Sequence, residues 1–460
     1  MRDILEDLAA KAGGFVELRY HRKETRRFDV ERGRVENAAI QQRAGVSVRV
    51  LEEGTWGFAA TSDPAAAAVS KAIDTARSAA RASAAYRRNK INALPQGQPA
   101  RGRFEEPGYA ELYEKALEAK IDVVLQAERE AREASSQVET ARASYAEIFE
   151  EKAIVTSDGA SADIRIVRPE FRVNAVANGV HRATYSEMIG VTGGWECVFQ
   201  RSPAEMAEKA SRSAVELAAA DYAPGGRYKV ILAPSIVGLL VHEAIGHTVE
   251  ADFVLAGSAA AGRVGQRVGS EMVTLCDSGH SEHLPHAGGT IPVDDEGMLT
   301  QRTVIIREGI LESYLHNRET AAHFGVSPTG NARAWEYADE PLIRMRNTYL
   351  EPGEKTLEEL ISEIDDGFLL DGPLNGQADA NAEFMFVAAR AQRIRHGKLA
   401  EVLRGAAVTG NAFDVLLSVD GISREFKWDM GSGYCGKGQP MKVDAGGPYV
   451  RCEVLIGGRS

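Results

Sequence analysis

The 460-residue sequence predicts an α+β protein, multi-domain and built mainly from antiparallel sheets with packed helices. Three observations carry this: short alternating or β-branched segments parted by glycine turns, a few long stretches free of glycine, and two interruptions rich in Pro and Gly. The length also exceeds what a single hydrophobic core usually serves.

After an opening helix, Phe15 to Tyr20, Val46 to Leu51 and Trp56 to Ala60 read as strands, with Glu52-Glu53-Gly54 as a turn. Ser62-Asp63-Pro64 caps an alanine-rich helix that runs to about Arg88 and packs on this sheet. The aperiodic stretch Leu94 to Arg103 marks a boundary between an N-terminal α/β subdomain (1–94) and a middle α+β subdomain (103–222). The middle unit reads as a helix from Tyr109 to Ala134 and then β-rich chain from Val138 to Phe199, with Asn178-Gly179 as a hairpin turn. A helix follows from Ser202, where Pro203 and Glu205 complete a capping box. Tyr222 to Gly226 breaks the chain again. The C-terminal unit (227–460) opens with a strand, Tyr228 to Leu232, and a strongly apolar helix from Pro234 to about Val249. Short β segments between Asp-Glu-Gly, Arg-Glu-Gly and His-Gly turns make up most of the rest, with one helix from Thr356 capped by Glu359.

Composition narrows the function. A hydrophobic content of 44% with 26% charged residues is that of a soluble globular protein, and no apolar run approaches the roughly 18 residues of a membrane span. The N-terminus lacks the pattern of a secretory signal, which predicts a cytoplasmic protein. Four scattered cysteines, Cys197, Cys276, Cys435 and Cys452, are too sparse for a disulfide framework. The net charge of −12 argues against a nucleic-acid partner, and the basic cluster Arg22-Lys23-Glu24-Thr25-Arg26-Arg27 reads as a solvated strand edge.

The chemistry concentrates in Val237-Gly238-Leu239-Leu240-Val241-His242-Glu243-Ala244-Ile245-Gly246-His247, where an apolar helix delivers two imidazoles and a carboxylate. Burying these groups without partners would cost several kcal/mol, which a bound metal would offset. The metalloprotease motif His-Glu-x-x-His places its histidines one turn apart. Here the interval is five residues, leaving the imidazoles roughly 140° apart on a regular α-helix, too divergent to grip one ion. Gly246 offers a way out if the helix ends or widens into a π-type turn there. The alternative is a pair of histidines that are merely packed or exposed.

Catalytic zinc usually has three protein ligands and one open position. The third has several candidates: Glu250 or Asp252 just downstream, the cluster His280, His283 and His286, and Cys435 among glycines, with Lys437 placed to keep a thiol ionised. Glu250 lies so near His247 in the chain that orienting that imidazole suits it better than ligation. The three loop histidines sit in a polar loop where solvated side chains are expected. On spacing alone, Cys435 ranks slightly above Glu250.

At these residues the sequence resembles the TldD/PmbA family of peptidases, in its TldD-like, metal-bearing branch. The likeness runs from about Leu18 onward and is densest at His242 to Asp252, Pro292-Val293-Asp294-Asp295-Glu296-Gly297, Pro328-Thr329-Gly330-Asn331, Arg346-Asn347-Thr348-Tyr349 and Cys435-Gly436-Lys437. The resemblance implies zinc held by His242, His247 and Cys435, with Glu243 as general base. It also implies a cytoplasmic peptidase acting on unfolded or short peptides, as a homodimer or as a heterodimer with a metal-free family member. No role is implied for His280, His283 or His286. A competing reading is a regulatory or peptide-binding protein with a structural zinc site closed by a fourth ligand such as a loop histidine.

Overall fold

Hairpins drawn by local turn chemistry generate most of the fold. In the computed structural model, which describes residues 1–457, strand β1 (Phe15–Glu31) folds back on β2 (Arg34–Glu52) through Arg32 and Gly33, both at positive φ. Glu53 and Gly54 repeat that device between β2 and β3 (Thr55–Thr61), as do Glu308-Gly309 and His396-Gly397 further on. Positive φ at both central residues suits the two-residue hairpin turns that match strand twist.

Among the described residues these strands belong to a seven-stranded sheet completed by β4 (Arg101–Glu105), β5 (Val138–Thr156), β6 (Ser161–Asn178) and β7 (Arg182–Gly190). The order is β3-β2-β1-β5-β6-β4, with β7 also paired to β6, and only β4 runs parallel to its neighbour. One sheet therefore runs through both N-terminal units, and part of the Pro/Gly-rich stretch between them is itself a strand. Helix Ala66–Ala84 lies on this sheet with its backbone against Gly57, where a Cβ would stand 1.8 Å from the Ala76 carbonyl oxygen. The expected helix over 109–134 divides into Tyr109–Glu114 and Leu117–Glu133, while the capping boxes at Ser202/Glu205 and Thr356/Glu359 form with both of their hydrogen bonds.

β1 alternates in an instructive way. Val16 and Leu18 join an apolar cluster with Leu5, Val48 and Val69, whereas Glu17, Arg19 and His21 face the other way and are buried too. Their face meets loops of the C-terminal unit through Lys152 Nζ to Asp295 Oδ1 at 2.8 Å and Arg49 Nη1 to Glu296 Oε1 at 2.8 Å. The basic cluster at 22–27 is accordingly not a solvated edge. β1 lies inside the sheet, and Lys23, Glu24 and Arg26 are buried, Arg26 pairing with Glu24 and Glu147. Periodicity marks which residues share a face but not what covers it.

Among the described residues the C-terminal unit holds, beside two short two-stranded sheets, two six-stranded ones. One runs Lys398–Asn411, Glu383–Arg395, Asp366–Ala378, Gly226–Leu232, Val450–Gly457, Gly421–Ile422; the other runs Ile310–Leu311, Arg302–Arg307, Leu275–Ser278, Asn347–Leu350, Asp444–Gly447, Lys427–Trp428. Strand pairs are mostly antiparallel, and the protein is α+β as expected. The apolar helix from Pro234 is buried among the largest cluster of core side chains, with Ile236, Val237, Val241 and Ile245 at its centre.

Candidate metal centre

The helix that carries the histidines changes its winding where the sequence demands it. Pro234–Leu239 is α-helical, Leu240–Gly246 is a π-helix and His247–Val249 a 3₁₀ turn. The His247 amide donates to the His242 carbonyl, an i→i−5 bond in place of the α-helical i→i−4. Residues five apart thus come onto one face, and the two imidazoles meet with centroids 5.3 Å apart. Gly246 permits the bulge to seat: a Cβ there would lie 1.9 Å from Met345 Sδ.

Cys435 reaches these rings from a hairpin of Tyr434–Gly436 and Pro440–Lys442. Its Sγ lies 3.1 Å from His247 Nε2, and the ligand atoms of His242, His247 and Cys435 all fall within 4.8 Å of one another. Among the described residues this is the one group of three or more His, Cys, Asp or Glu donors gathered so closely. His242 is buried and neither of its ring nitrogens has a hydrogen-bond partner; a metal ion would satisfy one of the two. Two imidazoles and a thiolate form a donor set that zinc accepts, so the residues present fit the ion.

Electrostatics agree. Burial alone would push the Cys435 thiol up, but the His242 and His247 imidazoles beside it bring it down to about 5. Burial likewise opposes charge on His247, yet Cys435 and Glu250 raise its imidazole to about 10. The two side chains form a thiolate–imidazolium pair near neutral pH.

Glu243 follows His242 directly and keeps a third of its side chain exposed, with Oε2 3.8 Å from His247 Nε2. It is positioned at the mouth of the group, not inside it. Glu250 lies behind His247: its Oε2 is 3.0 Å from His247 Nδ1, leaving Nε2 to face Cys435. Asp252 pairs with Lys437, whose ammonium also reaches Glu250 and the Ile343 carbonyl. The expectation that Lys437 holds the thiol ionised is thereby corrected, because the histidines do that while Lys437 serves the carboxylates.

The three loop histidines separate. The His280 carbonyl accepts from Asn347 Nδ2, His283 Nε2 lies 2.8 Å from Glu351 Oε2, and His286 Nε2 lies 3.6 Å from Cys197 Sγ. Sequence reading missed Arg344, fully buried, which donates to the carbonyls of Cys435 and Gln439 and so grips the first strand and the turn of the cysteine hairpin. It missed Glu170 of β6 as well, which takes Tyr434 and Lys442 from the hairpin's opposite face. Neither carries a local signal, since each acts on chain far away in sequence.

Fold and site together define a class: a strand-rich α+β protein in which a bulged helix and a hairpin gather two histidines and a cysteine that could hold a metal ion, with a carboxylate at the opening. The chain belongs to the PmbA/TldD family of metallopeptidases. It matches the PmbA/TldA metallopeptidase domain 1 over residues 16–80, the central domain over 110–218 and the C-terminal domain over 225–458. A metalloprotease of Methanocaldococcus jannaschii is 32% identical over 449 residues, 97% of either chain. A protein of Saccharolobus solfataricus named a zinc metalloprotease TldD homolog is 40% identical over 235 residues, 51% of this chain and 52% of its own. The crystal structure of TldE from Thermococcus kodakarensis superposes with a TM-score of 0.79 at 18% identity, covering 98% of this chain and 99% of that one, a likeness of fold.

Proposed function

We propose that the protein is a zinc metallopeptidase that hydrolyses peptide bonds of unfolded or short peptides, with Glu243 as general base. The observation that carries this reading is the gathering of His242, His247 and Cys435 within 4.8 Å beside a carboxylate open to solvent. Zinc held by those three side chains would lower the pKa of a bound water towards about 7 and polarise a scissile carbonyl. Glu243 accepts the water's proton and passes it to the leaving amine. Glu250 accepts a hydrogen bond from His247 Nδ1–H and fixes that ring with Nε2 forward. Extended peptides suit a strand-rich scaffold, because main-chain pairing gives affinity with little sequence preference.

We further infer a cytoplasmic setting, which the four unpaired cysteines support. We also infer assembly as a homodimer or as a heterodimer with a metal-free family member, which the sequence resemblance implies. The competing reading, a structural zinc closed by a fourth protein ligand, loses support because the close donor group contains none of His280, His283 and His286, and the rings of the last two lie against Glu351 and Cys197.

The test is mass spectrometry of an unstructured peptide incubated with the zinc-loaded chain and, in parallel, with Glu243→Gln. Cleavage by the first alone supports the reading. Equal cleavage by both removes Glu243 from its role, and no cleavage by either favours a required partner subunit or a binding function.

A further inference from the structure

Two of the candidate ligands, His247 and Cys435, lie 188 residues apart in sequence, yet one side chain touches the support of both. Lys437 sits two residues past Cys435 at the tip of the hairpin. Its ammonium lies 3.0 Å from Glu250 Oε2, 2.8 Å from Asp252 Oδ1 and 3.1 Å from the Ile343 carbonyl. An ammonium has three donors, so these acceptors use them all and fix its direction. The group is 11% exposed and lies 4.2 Å from the centre of the Phe253 ring, which itself packs edge-on to His247.

Glu250 is the hinge of the arrangement. The carboxylate is fully buried; its Oε2 takes both His247 Nδ1 and Lys437, while Oε1 has no partner. A buried carboxylate bound through one oxygen can swing about its terminal torsion, since that rotor is broad. The ammonium that shares this oxygen removes the freedom. Because Lys437 is tied by only two residues to Cys435, holding Glu250 also holds the hairpin tip against the helix.

We propose that Lys437 is a positioning residue that couples His247 to Cys435: through Glu250 it fixes the His247 ring with Nε2 towards the thiolate, so that the two segments present their ligand atoms as one preformed site. This rests on the metal reading above only for its zinc measurements.

The experiment uses the full-length chain, Lys437→Met, Glu250→Gln and the double variant, with Asp252→Asn as a control that keeps Lys437 on Glu250. Zinc Kd is measured by competition with a chromogenic chelator, and the His247 Nδ1–H proton is followed by NMR in metal-free protein labelled with ¹⁵N-histidine. Loss of an outer partner typically weakens metal binding about 10- to 100-fold, which is the loss expected for Lys437→Met, with Asp252→Asn within about threefold of wild type. The Nδ1–H signal should be protected in wild type and lost to exchange in Lys437→Met. The double variant should bind no more weakly than the weaker single one, because the lysine acts through the glutamate. Losses that add in the double variant, a protected Nδ1–H in Lys437→Met, or an equal loss in Asp252→Asn would overturn the proposal. Should Lys437→Met not fold, Lys437→Gln, uncharged and shorter of donors, takes its place. A wild-type chain that takes up no zinc sinks the metal reading, and the Nδ1–H arm then decides the positioning role by itself.

Discussion

The Cys435 sulfur lies 3.1 Å from His247 Nε2, a contact closed by a hairpin at one end of the C-terminal unit and a helix at the other. The pair is poised as thiolate and imidazolium, and the surroundings that poise it also decide how the site responds to acid, to metal and to substitution.

Zinc uptake should release a proton. With Cys435 at about 5 and His247 at about 10, the metal-free pair holds one proton between those values, on the imidazole. Ligation needs thiolate and neutral imidazole, so that proton must leave and affinity rises with pH. Between pH 7 and 9 the association constant should climb by at least about tenfold per unit, and calorimetry in buffers of different ionisation enthalpy should count one proton from the pair, joined by a second as zinc-bound water ionises. A flat profile would contradict the ion pair.

Glu243→Gln should keep zinc and lose turnover. Removing a general base typically costs about 10²- to 10⁴-fold, while a carboxylate outside the ligand group leaves affinity almost unchanged. Metal content by plasma mass spectrometry beside kcat on a peptide substrate separates the two effects.

Gly246→Ala should destabilise the bulge. Its Cβ would lie 1.9 Å from Met345 Sδ, and overpacking of this kind costs about 1–3 kcal/mol. Urea unfolding should show the loss, and the loss caused by Gly246→Ala should be smaller when it is made in a Met345→Ala chain than in the wild type. That reduction is the informative outcome, since a helix needing glycine for its backbone alone would lose as much in either chain.

Asp277→Ala should be among the most damaging changes away from the metal centre. Asp277 and Arg346 are both fully buried, and the carboxylate also accepts from Asn331 Nδ2 and Thr348 Oγ1. Breaking a buried pair from one side leaves an uncompensated charge at a cost of about 3–5 kcal/mol, measurable as a lowered denaturation midpoint.

Much of this was legible in the sequence where chemistry is local. Glu53-Gly54, His396-Gly397 and the two capping boxes declare themselves within four residues, and the five-residue interval from His242 to His247 requires, for a shared ion, a helix that ends or widens near Gly246, of which the structure takes the second course. Cys435 stood only slightly above Glu250 until family likeness favoured it, because nothing near it in the chain points to the histidines. The remaining parts are long-range by nature. Arg344 grips the cysteine hairpin from 91 residues away, and Glu170 meets Tyr434 across 264. The buried charges of β1 misled for a related reason: an alternation of apolar and charged residues looks the same whether water or another domain lies on the charged side.

The distance in sequence between the two histidines and the cysteine has a consequence for biosynthesis. A chain emerging from the ribosome displays the helix of His242 and His247 long before the segment bearing Cys435 exists, and Val450–Gly457 must still arrive to pair with Gly226–Leu232, the strand leading into that helix. Until then the histidines lack their thiolate. A half-made or prematurely terminated product is therefore left without a competent site, and completion of translation itself acts as the safety catch on the proposed hydrolytic chemistry.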